Sequence, residues 1–387
     1  MKWEKVKLGK YVEILSGFAF KSKDFLNCGV PVIKIKNITQ EGVTLEDVSY
    51  ISKELADKNE KYHLNYNDIL IALTGSHINQ MSSVVGRIAR IKYHENSLLN
   101  QRVGKVFAKD SKLCDIDYVY YFLSQDYIKI SLASKAGGAA NQANISPNDV
   151  KSLTVRWPDI ETQHRIADIL SAYDDLIENN QKQIKLLEEA AQRLYKEWFV
   201  DLRFPGHENT KIVDGVPEGW RRGLLKELIS VNYGKDHKKV PDDGNIPVYG
   251  SGGLMRKCNK SLFSGEAVLI PRKGSLNNIM YVDETFWTVD TMFYATMKQP
   301  HTAVFVYFFV KAFDMYSMNI GAAVPSMTAK ILDAMDVVIP DKETLEKFDK
   351  RAKVYFNKIK TLQGQNERLK TARDLLLAKL MSGEVEV

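Results

Sequence analysis

Two short acidic clusters in this 387-residue chain have a spacing that could serve a metal site. "PDIE" places Asp159 two residues before Glu161, and "PDKE" repeats the spacing with Asp341 and Glu343. Paired carboxylates can hold a divalent metal ion that activates water in a nuclease. Each cluster, however, directly precedes a long helical pattern, where Asp is a good N-cap and Glu suits the positive end of the helix dipole. We therefore predict two capped helix starts and no catalytic residue, and we keep a stand-alone metal-dependent DNA endonuclease as the alternative.

The sequence offers few other candidates for catalysis or cofactor binding. Its seven histidines show no HxxxH or HExxH spacing, and Cys28, Cys114 and Cys258 form no CxxC pair. The chain has no GxxxxGK[ST] motif, and "GSGG" at 250–253 lacks the GxGxxG spacing of a nucleotide site. We predict that this chain binds no metal or cofactor. The longest apolar run, "AVFVYFFV", is too short to span a bilayer, which favours a cytoplasmic protein without a membrane partner.

The positive charge is concentrated in particular stretches of the chain. The formal net charge is +6, and residues 221–273 alone carry eleven Lys and Arg against five Asp and Glu. Lys and Arg neutralise phosphates and release counterions, so this clustering indicates a polyanion partner. Charge alone leaves open the alternative of a solvated basic surface.

The chain also repeats itself at long range, which predicts two copies of one fold. Trp3 and Trp220 are 217 residues apart, whereas Pro158 and Pro340 are 182 apart. A shrinking offset indicates shorter loops in the second copy, and loops carry recognition. Strand patterns such as "VPVIKIKNI" (30–38) and "DILIAL" accompany a helical pattern over residues 117–134. We expect a mixed α/β fold (α+β-like), with globular domains at 1–158 and 202–340 and long helices at 159–201 and 341–387.

Both long helices carry a heptad repeat of apolar residues in one register. This pattern predicts that they pair as an antiparallel coiled coil roughly 60 Å long, with pseudo-two-fold symmetry and a globular unit at each end. Asn180, Asn366 and Arg373 fall on the seam, where they either fix the register or, if it drifts, face water. Leu186, Leu375 and Leu377 form a row outside the seam, for another protein's helices or for packing against the globular units. The predicted seam comprises Leu170, Tyr173, Ile177, Ile184, Leu187, Leu194, Phe348, Tyr355, Ile359, Leu362, Leu369 and Leu376.

The chain resembles the specificity subunit of Type I restriction–modification enzymes. The resemblance lies in these junctions and heptads and in the strings "WEKVKLGKYVEILSGFAFKS" (3–22) and "LLEEAAQRLYKEWF" (186–199). The likeness covers essentially the whole chain, although the second junction has Leu345 where the first has Gln163. The resemblance implies a non-catalytic subunit with two target recognition domains, each reading one half of a bipartite, asymmetric site in double-stranded DNA. It further implies that the helices set the spacer and dock two methyltransferase subunits.

On the same resemblance, the methyltransferase subunits bring S-adenosylmethionine, and restriction/translocase subunits bring ATP and Mg. Candidate DNA contacts are cationic and amide side chains on loops, because phosphate contacts position a protein and base-edge contacts specify the sequence. If the chain is instead a protein-only coiled-coil scaffold, these side chains form a solvated surface. The candidates in the first domain are Lys21, Lys23, Lys34, Lys36, Ser76, His77, Asn79, Gln80, Gln101, Arg102, Asn141 and Gln142. Those in the second domain are Lys235, His237, Lys238, Lys239, Tyr249, Ser251, Arg272, Lys273, Ser275, Asn277 and Asn278.

Overall fold

The computed structural model describes residues 3–40, 42–75, 84–136, 143–318 and 326–387. Backbone contacts divide the chain into two compact units, one of residues 1–178 and 366–387, the other of residues 179–365. We call them unit 1 and unit 2. Each unit contains one globular region together with a part of both long helices. The domain boundaries given above remain a prediction, since the compact units divide each helix between them.

Unit 1 is built from short strands and helices around a buried antiparallel sheet. Its strands are β1 (Glu4–Lys7), β2 (Val12–Ser16), β3 (Val30–Ile33), β4 (Ser49–Ile51), β5 (His63–Leu64), β6 (Ile69–Ala72), β7 (Thr74–Gly75), β8 (Ile88–Arg90), β9 (Ser97–Leu99), β10 (Val103–Ala108), β11 (Ala143–Asn144) and β12 (Thr154–Trp157). Its helices are α1 (Lys53–Asp57), α2 (Ile116–Ser124), α3 (Asp126–Lys135) and α4 (Pro147–Lys151), and α5 (Ile160–Tyr195) begins here. The central sheet has the order β2-β10-β6-β8, and β6 is buried along its whole length because both of its faces are covered.

Unit 2 has a larger sheet of the same kind. Its strands are β13 (Ile212–Val213), β14 (Val216–Pro217), β15 (Arg221–Leu224), β16 (Ile229–Tyr233), β17 (Ile246–Gly250), β18 (Gly253–Cys258), β19 (Phe263–Pro271), β20 (Met280–Thr288), β21 (Met292–Met297) and β22 (Asp336–Ile339). Its helices are α6 (Ala303–Lys311), α7 (Ala329–Asp333) and α8 (Lys342–Ser382), whose last turns belong to unit 1. The main sheet has the order β16-β21-β19-β20-β17-β18.

The two units have the same core topology, which confirms the repeat. In unit 1, β1 pairs antiparallel with β12, and in unit 2, β15 pairs in the same way with β22. The order β2-β10-β6-β8 of the first unit matches the order β16-β21-β19-β20 of the second. The units differ in the strands outside this core. In unit 1 a separate sheet has the order β4-β3-β9-β5, whereas in unit 2 the hairpin of β17 and β18 extends the main sheet.

Both long helices begin at the predicted acidic junctions. The backbone amide of Thr162 donates to Asp159 Oδ1 (2.8 Å), and that of Thr344 donates to Asp341 Oδ1 (2.9 Å). Each threonine hydroxyl also donates to the second oxygen of its aspartate. Helix α5 then continues to Tyr195 and ends in a π-helical turn over Lys196–Val200.

The helices pair in an antiparallel sense. In unit 1, contacts join early α5 to late α8, since Arg373 forms an ion pair with Asp174 and the Asn366 side chain donates to the Ile177 carbonyl oxygen (3.5 Å). In unit 2, late α5 packs on early α8, where the Phe348 ring lies 5.8 Å from that of Trp198. Of the predicted seam residues, Leu170, Ile177, Phe348, Ile359 and Leu362 are buried. The half-buried ones are Tyr173, Ile184, Leu187, Leu194, Tyr355, Leu369 and Leu376.

The structure decides the alternatives at the polar seam positions and corrects two local predictions. Asn180 and Asn366 are buried, so they lie on the seam and do not face water. In the apolar row outside the seam, Leu377 is buried in the core of unit 1, as expected if the row packs against a globular unit, whereas Leu186 and Leu375 are exposed. The strand predicted over 30–38 ends at Ile33 and continues as a 3-10 turn.

The helix predicted over 117–134 is in fact two helices, α2 and α3. Gln125 between them has an extended backbone (φ −69°, ψ 133°) and accepts the first hydrogen bonds of α3 on its carbonyl oxygen. Its buried side chain donates to the Phe122 carbonyl oxygen (3.1 Å), which satisfies the end of α2. Among the described helices, none is long and apolar enough to cross a membrane.

Candidate nucleic-acid interface

In unit 1, three of the candidate loops meet at the turn that follows β9. The Phe18 amide donates to the Leu99 carbonyl oxygen (2.9 Å), and the Gln101 amide donates to the Phe18 carbonyl oxygen (3.0 Å). The Asn100 amide donates to the carbonyl oxygen of Ile33 (3.1 Å), the residue just before Lys34. The segments "GFAFKSK", "KIK" and "NQR" therefore start side by side, although the first begins at Gly17 and the last at Asn100.

The described residues that flank the remaining candidate segments of unit 1 are bonded to the same place. The Leu73 amide donates to the Arg102 carbonyl oxygen (3.0 Å), and the Ile145 amide donates to the Leu73 carbonyl oxygen (2.9 Å). Gly75 pairs with Ala143 across β7 and β11. The candidates Ser76, His77, Asn79, Gln80, Asn141 and Gln142 lie outside the described residues, in the segments that follow Gly75 and precede Ala143.

The side chains of the described candidates in unit 1 differ in their availability. Lys21, Lys23, Lys36, Gln101 and Arg102 are exposed. Lys34 is already used within the fold. Its ammonium donates to Ser49 Oγ (2.9 Å) and lies 3.5 Å from the centre of the Phe25 ring, and burial lowers its pKa. The structure therefore brings together a group of cationic and amide side chains that can meet a polyanion, and Lys34 positions a neighbouring strand.

In unit 2, the candidate loops also converge at one edge of the sheet. The Lys235 amide donates to the Thr288 carbonyl oxygen (3.0 Å), and the Val289 amide donates to the Tyr249 carbonyl oxygen (3.0 Å). The Asn278 side chain donates to the Ser251 carbonyl oxygen (2.9 Å). These bonds join the loop after β16, the turn between β17 and β18, and the loop after β19.

Arg272 is held in a defined orientation at this edge. Its Nη1 donates to the Asp290 carbonyl oxygen (3.1 Å), and its guanidinium lies 5.3 Å from the centre of the Tyr233 ring. A second ring, that of Phe293, lies 5.6 Å away. The Nε atom of Arg272 is buried and has no hydrogen-bond partner among the described residues. An arginine oriented in this way suits bidentate recognition of a guanine edge or a phosphate.

Some candidates in unit 2 serve the fold, and others are free to meet a partner. The Tyr249 hydroxyl donates to Glu284 (2.6 Å), and burial raises the pKa of this tyrosine. Asn277 donates to Asp314 (3.0 Å) and accepts from the Met315 amide (2.8 Å). Half-buried side chains are those of His237, Ser251, Arg272 and Asn278, and exposed ones are those of Lys235, Lys238, Lys239, Lys273 and Ser275.

Two features of this edge were not predicted from the sequence. Arg256 on β18 donates to the carbonyl oxygens of His237 (2.6 Å) and Val240 (2.9 Å), so it holds the lysine-rich loop against the hairpin. Leu254 and Met255, just after the turn of that hairpin, are exposed. The sequence of β18 does not indicate that Arg256 holds this loop, because no local pattern pairs a basic strand residue with a basic loop. The two adjacent apolar residues after "SGG" could have been recognised from the sequence as a candidate contact.

The acidic junctions are committed to structure. Hydrogen bonds to Thr162 hold the pKa of Asp159 below its usual value, and Asp341 also accepts from Trp220 Nε1 (3.0 Å). Gln163, next to the first cap, is buried and accepts from the Asp115 amide (2.9 Å), whereas its counterpart Leu345 lies in the apolar core of unit 2. Within the described ranges, no group of three or more His, Cys, Asp or Glu side chains could hold a metal ion.

Comparisons with known proteins agree with this two-unit architecture. The family model of the Type I restriction modification DNA specificity domain matches residues 1–189 and 217–371. The chain is 23% identical over 408 residues to a putative type I restriction enzyme MjaX specificity subunit of Methanocaldococcus jannaschii, covering 100% of this chain and 94% of the relative. It is 25% identical over 329 residues to the MjaIX specificity subunit of the same organism, covering 74% of this chain and 73% of the relative.

A solved structure shows the same fold. The S subunit of a Type I restriction-modification system from M. genitalium has a TM-score of 0.60 at 19% sequence identity, covering 98% of this chain and 96% of that chain. The family model matches most of the chain in two segments, one within each copy of the repeat. The chain therefore belongs to the family of Type I restriction modification DNA specificity domains.

Proposed function

We propose that this chain is the sequence-recognition subunit of a Type I restriction–modification complex, in which each unit reads one half of a bipartite, asymmetric DNA site. The observation that carries this proposal is the combination of one core topology with two different sets of loops. In both units, loops with exposed Lys side chains converge on one edge of the shared core, together with Gln101 and Arg102 in unit 1 and Ser275 in unit 2. Because base-edge contacts specify the sequence, two units with one core but different loop side chains read different DNA sequences.

The helices α5 and α8 supply the fixed gap between the half-sites and the docking surface for two methyltransferase subunits. A paired helix has a defined rise per residue, so it admits one separation of its attached readers. Exposed apolar residues on these helices, among them Leu186 and Leu375, are available to a partner's helices. Linking two weak readers at fixed separation raises the affinity for a site that contains both half-sites at that gap.

The chain itself does no chemistry in this proposal. Its junction carboxylates are occupied as helix caps, so they are poor candidates for metal ligands. S-adenosylmethionine binds to the methyltransferase subunits, and ATP and Mg bind to restriction/translocase subunits. The chain contributes the choice of site and the positions of its partners.

The test is methylome sequencing of a host that carries this chain together with the methyltransferase encoded beside it. We expect one bipartite motif with a gap of constant length, methylated only when both proteins are present. A continuous motif, or methylation that does not depend on this chain, would contradict the proposal.

The purified chain separates the alternatives. We expect it neither to cut nor to methylate DNA in the presence of Mg²⁺. Cleavage that Asp159→Asn abolishes would support the endonuclease, because asparagine keeps the helix cap and removes the carboxylate. A complex with the methyltransferase that does not bind DNA would support the protein-only scaffold.

A further inference from the structure

A hairpin of unit 2 presents two large apolar side chains to solvent. Strands β17 and β18 are joined at Ser251 and Gly252, and the next apolar residues are Leu254, 59% exposed, and Met255, 54% exposed. A Cβ atom on Gly252 would have no neighbour within 4 Å, so the turn projects into open space. Adjacent exposed apolar residues at a projecting turn indicate a contact surface, because water solvates them poorly.

This hairpin is held in place by bonds that do not involve its apolar residues. The Asn278 side chain donates to the carbonyl oxygen of Ser251 in the turn, and the Val289 amide donates to that of Tyr249 on β17. Arg256 binds two carbonyl oxygens of the 237–240 loop from the other strand. At Gly274 a Cβ atom would lie 2.6 Å from Ser251 Oγ, so glycine permits the loop after β19 to pack on the turn. A side chain on such a supported element is presented in one position.

The surroundings of the hairpin are basic. The Lys235 amide bonds to Thr288, and the next residue, Val289, bonds to Tyr249 of the hairpin. Lys273 precedes Gly274, which packs against Ser251 in the turn. Lys257 on β18 is also exposed. Cations around an apolar tip complement DNA, which has phosphates on its outside and thymine methyl groups in its major groove. A protein partner at this surface would instead need acidic side chains opposite Lys235, Lys257 and Lys273.

We infer that Leu254 and Met255 contact the bases of the half-site that unit 2 reads, an inference that rests on the proposed function. An apolar side chain distinguishes bases by touching the C5-methyl group of thymine in the major groove, or by inserting between neighbouring bases. Such contacts add specificity that the Lys, Arg and Asn side chains of the same edge do not supply.

The test uses the Leu254→Ala/Met255→Ala variant in complex with the methyltransferase. In the methylome we expect one half of the motif to become relaxed, with the other half and the gap unchanged. Binding to a duplex of the wild-type motif should weaken about tenfold, with the salt dependence unchanged because no cation is removed. A wild-type thermal unfolding transition of the variant shows that unit 2 is folded, because recognition of the other half-site reports only on unit 1.

The matched control is Ile212→Ala/Val213→Ala. These side chains are 53% and 65% exposed on β13, in another hairpin of the same unit. We expect this control to keep the complete motif and the wild-type affinity.

One further duplex identifies the kind of contact. Replacing thymine by deoxyuridine in the relaxed half removes only the methyl group. Weaker binding by the wild type, with no further weakening in the variant, assigns a methyl contact. If the substitution has no effect but the variant still binds weakly, the contact is with base faces.

Three results distinguish a failure of this inference from a failure of the proposed function. A Leu254→Ala/Met255→Ala variant that behaves like the control overturns the inference. Weaker binding to the methyltransferase with an unchanged motif also overturns it, in favour of a protein contact. Absence of any bipartite methylation by the wild type contradicts the proposed function itself.

Discussion

At the scale of single residues, the two junctions show how one helix start can be specified twice. Asp159 and Asp341 each accept from the amide and the hydroxyl of a threonine three residues later. The next position differs, because Gln163 joins α5 to the start of α2 whereas Leu345 joins an apolar core. The repeated residues are those that the helix start needs, and the variable one depends on what it packs against.

We predict that Asp159→Ala weakens the start of α5 by about 1 kcal/mol, the usual value for removal of an N-cap. Amide hydrogen exchange in the first turn of the helix should become about fivefold faster, as measured by mass spectrometry on peptides. Asp159→Asn is the control, since asparagine caps nearly as well. Exchange in Asp159→Ala at the wild-type rate would show that the cap contributes nothing.

The pH dependence follows from the lowered pKa of Asp159. The folded-state pKa lies below the unfolded value of about 3.9, so the charged cap adds stability above that pH. This contribution disappears as the pH falls through the folded-state pKa. We therefore expect the exchange rates of wild type and Asp159→Asn to converge in acid, below about pH 4. A difference between them that grows on acidification would contradict the assignment.

An exchange of residues between the junctions tests their different surroundings. Gln163→Leu leaves the Asp115 amide without its partner, which costs about 1 to 3 kcal/mol. Leu345→Gln buries an amide among apolar side chains at a similar cost. Thermal unfolding followed by circular dichroism should show both variants melting earlier. If either variant keeps the wild-type transition, the corresponding contact is not needed for stability.

At the scale of elements, a polar triad ties the globular part of unit 1 to both long helices. Tyr121 on α2 donates to Asp174 on α5 (2.7 Å), which is also paired with Arg373 on α8. Tyr120 and Tyr307 occupy matching places 187 residues apart, and the offset at the two prolines is 182, so the corresponding positions in unit 2 are Phe308, Phe356 and Ala191. There the two phenylalanine rings lie 6.1 Å apart and Ala191 is fully buried. The same contact is therefore polar in one unit and apolar in the other.

We predict that the three positions of the triad are strongly coupled. Asp174→Phe alone leaves the buried Tyr121 hydroxyl without its acceptor, and Arg373→Ala alone leaves the Asp174 carboxylate without its cation, each at a cost of about 1 to 3 kcal/mol. Combined with Tyr121→Phe, the two changes install the residues of unit 2 and should cost less than the sum of the single changes. Hydrogen exchange of α2 and of residues 366–382 measures the effect within unit 1. Additive effects would show that the triad is three independent contacts.

At the scale of the whole molecule, the proposed function assigns one half of a DNA site to each unit. The exposed lysines of the two edges are distributed accordingly, with Lys21 and Lys23 in unit 1 and Lys235 and Lys238 in unit 2. Phosphate contacts raise affinity without selecting bases, so charge reversal and base reading can be separated experimentally.

We predict that Lys235→Glu/Lys238→Glu weakens DNA binding by the complex and makes it less dependent on salt. The slope of log K against log salt should fall by about 0.9 for each phosphate that the protein no longer neutralises. The methylated motif should stay the same, since these lysines position the protein on the DNA. Lys58→Glu, at an exposed lysine paired with Glu54 on α1, is the control. An unchanged slope in the double variant would mean that this edge does not meet phosphates.

The sequence by itself determined the features that depend on neighbours in the chain. Helix caps, heptads and strand patterns are local, so Asp159, Asp341 and the apolar seam positions could be read directly. The repeat was also available, because two copies of one core place turns, strands and helix starts in the same order along the chain. The buried positions of Asn180 and Asn366 followed from the heptad register, although the sequence left the alternative of solvent exposure open.

Only the tertiary structure decided which distant residues meet. The burial of Leu377 depends on the core of unit 1 around the end of α8. Which candidate side chains are available to DNA depends on long-range pairing as well. Lys34 and Tyr249 are of the same residue types as side chains that contact DNA from free loops. Both are already bonded within the fold, Lys34 to Ser49 and Tyr249 to Glu284. Hydrogen bonds across 70 or more residues, such as that from the Ile145 amide to Leu73, bring the loops to one edge, and no local pattern encodes them.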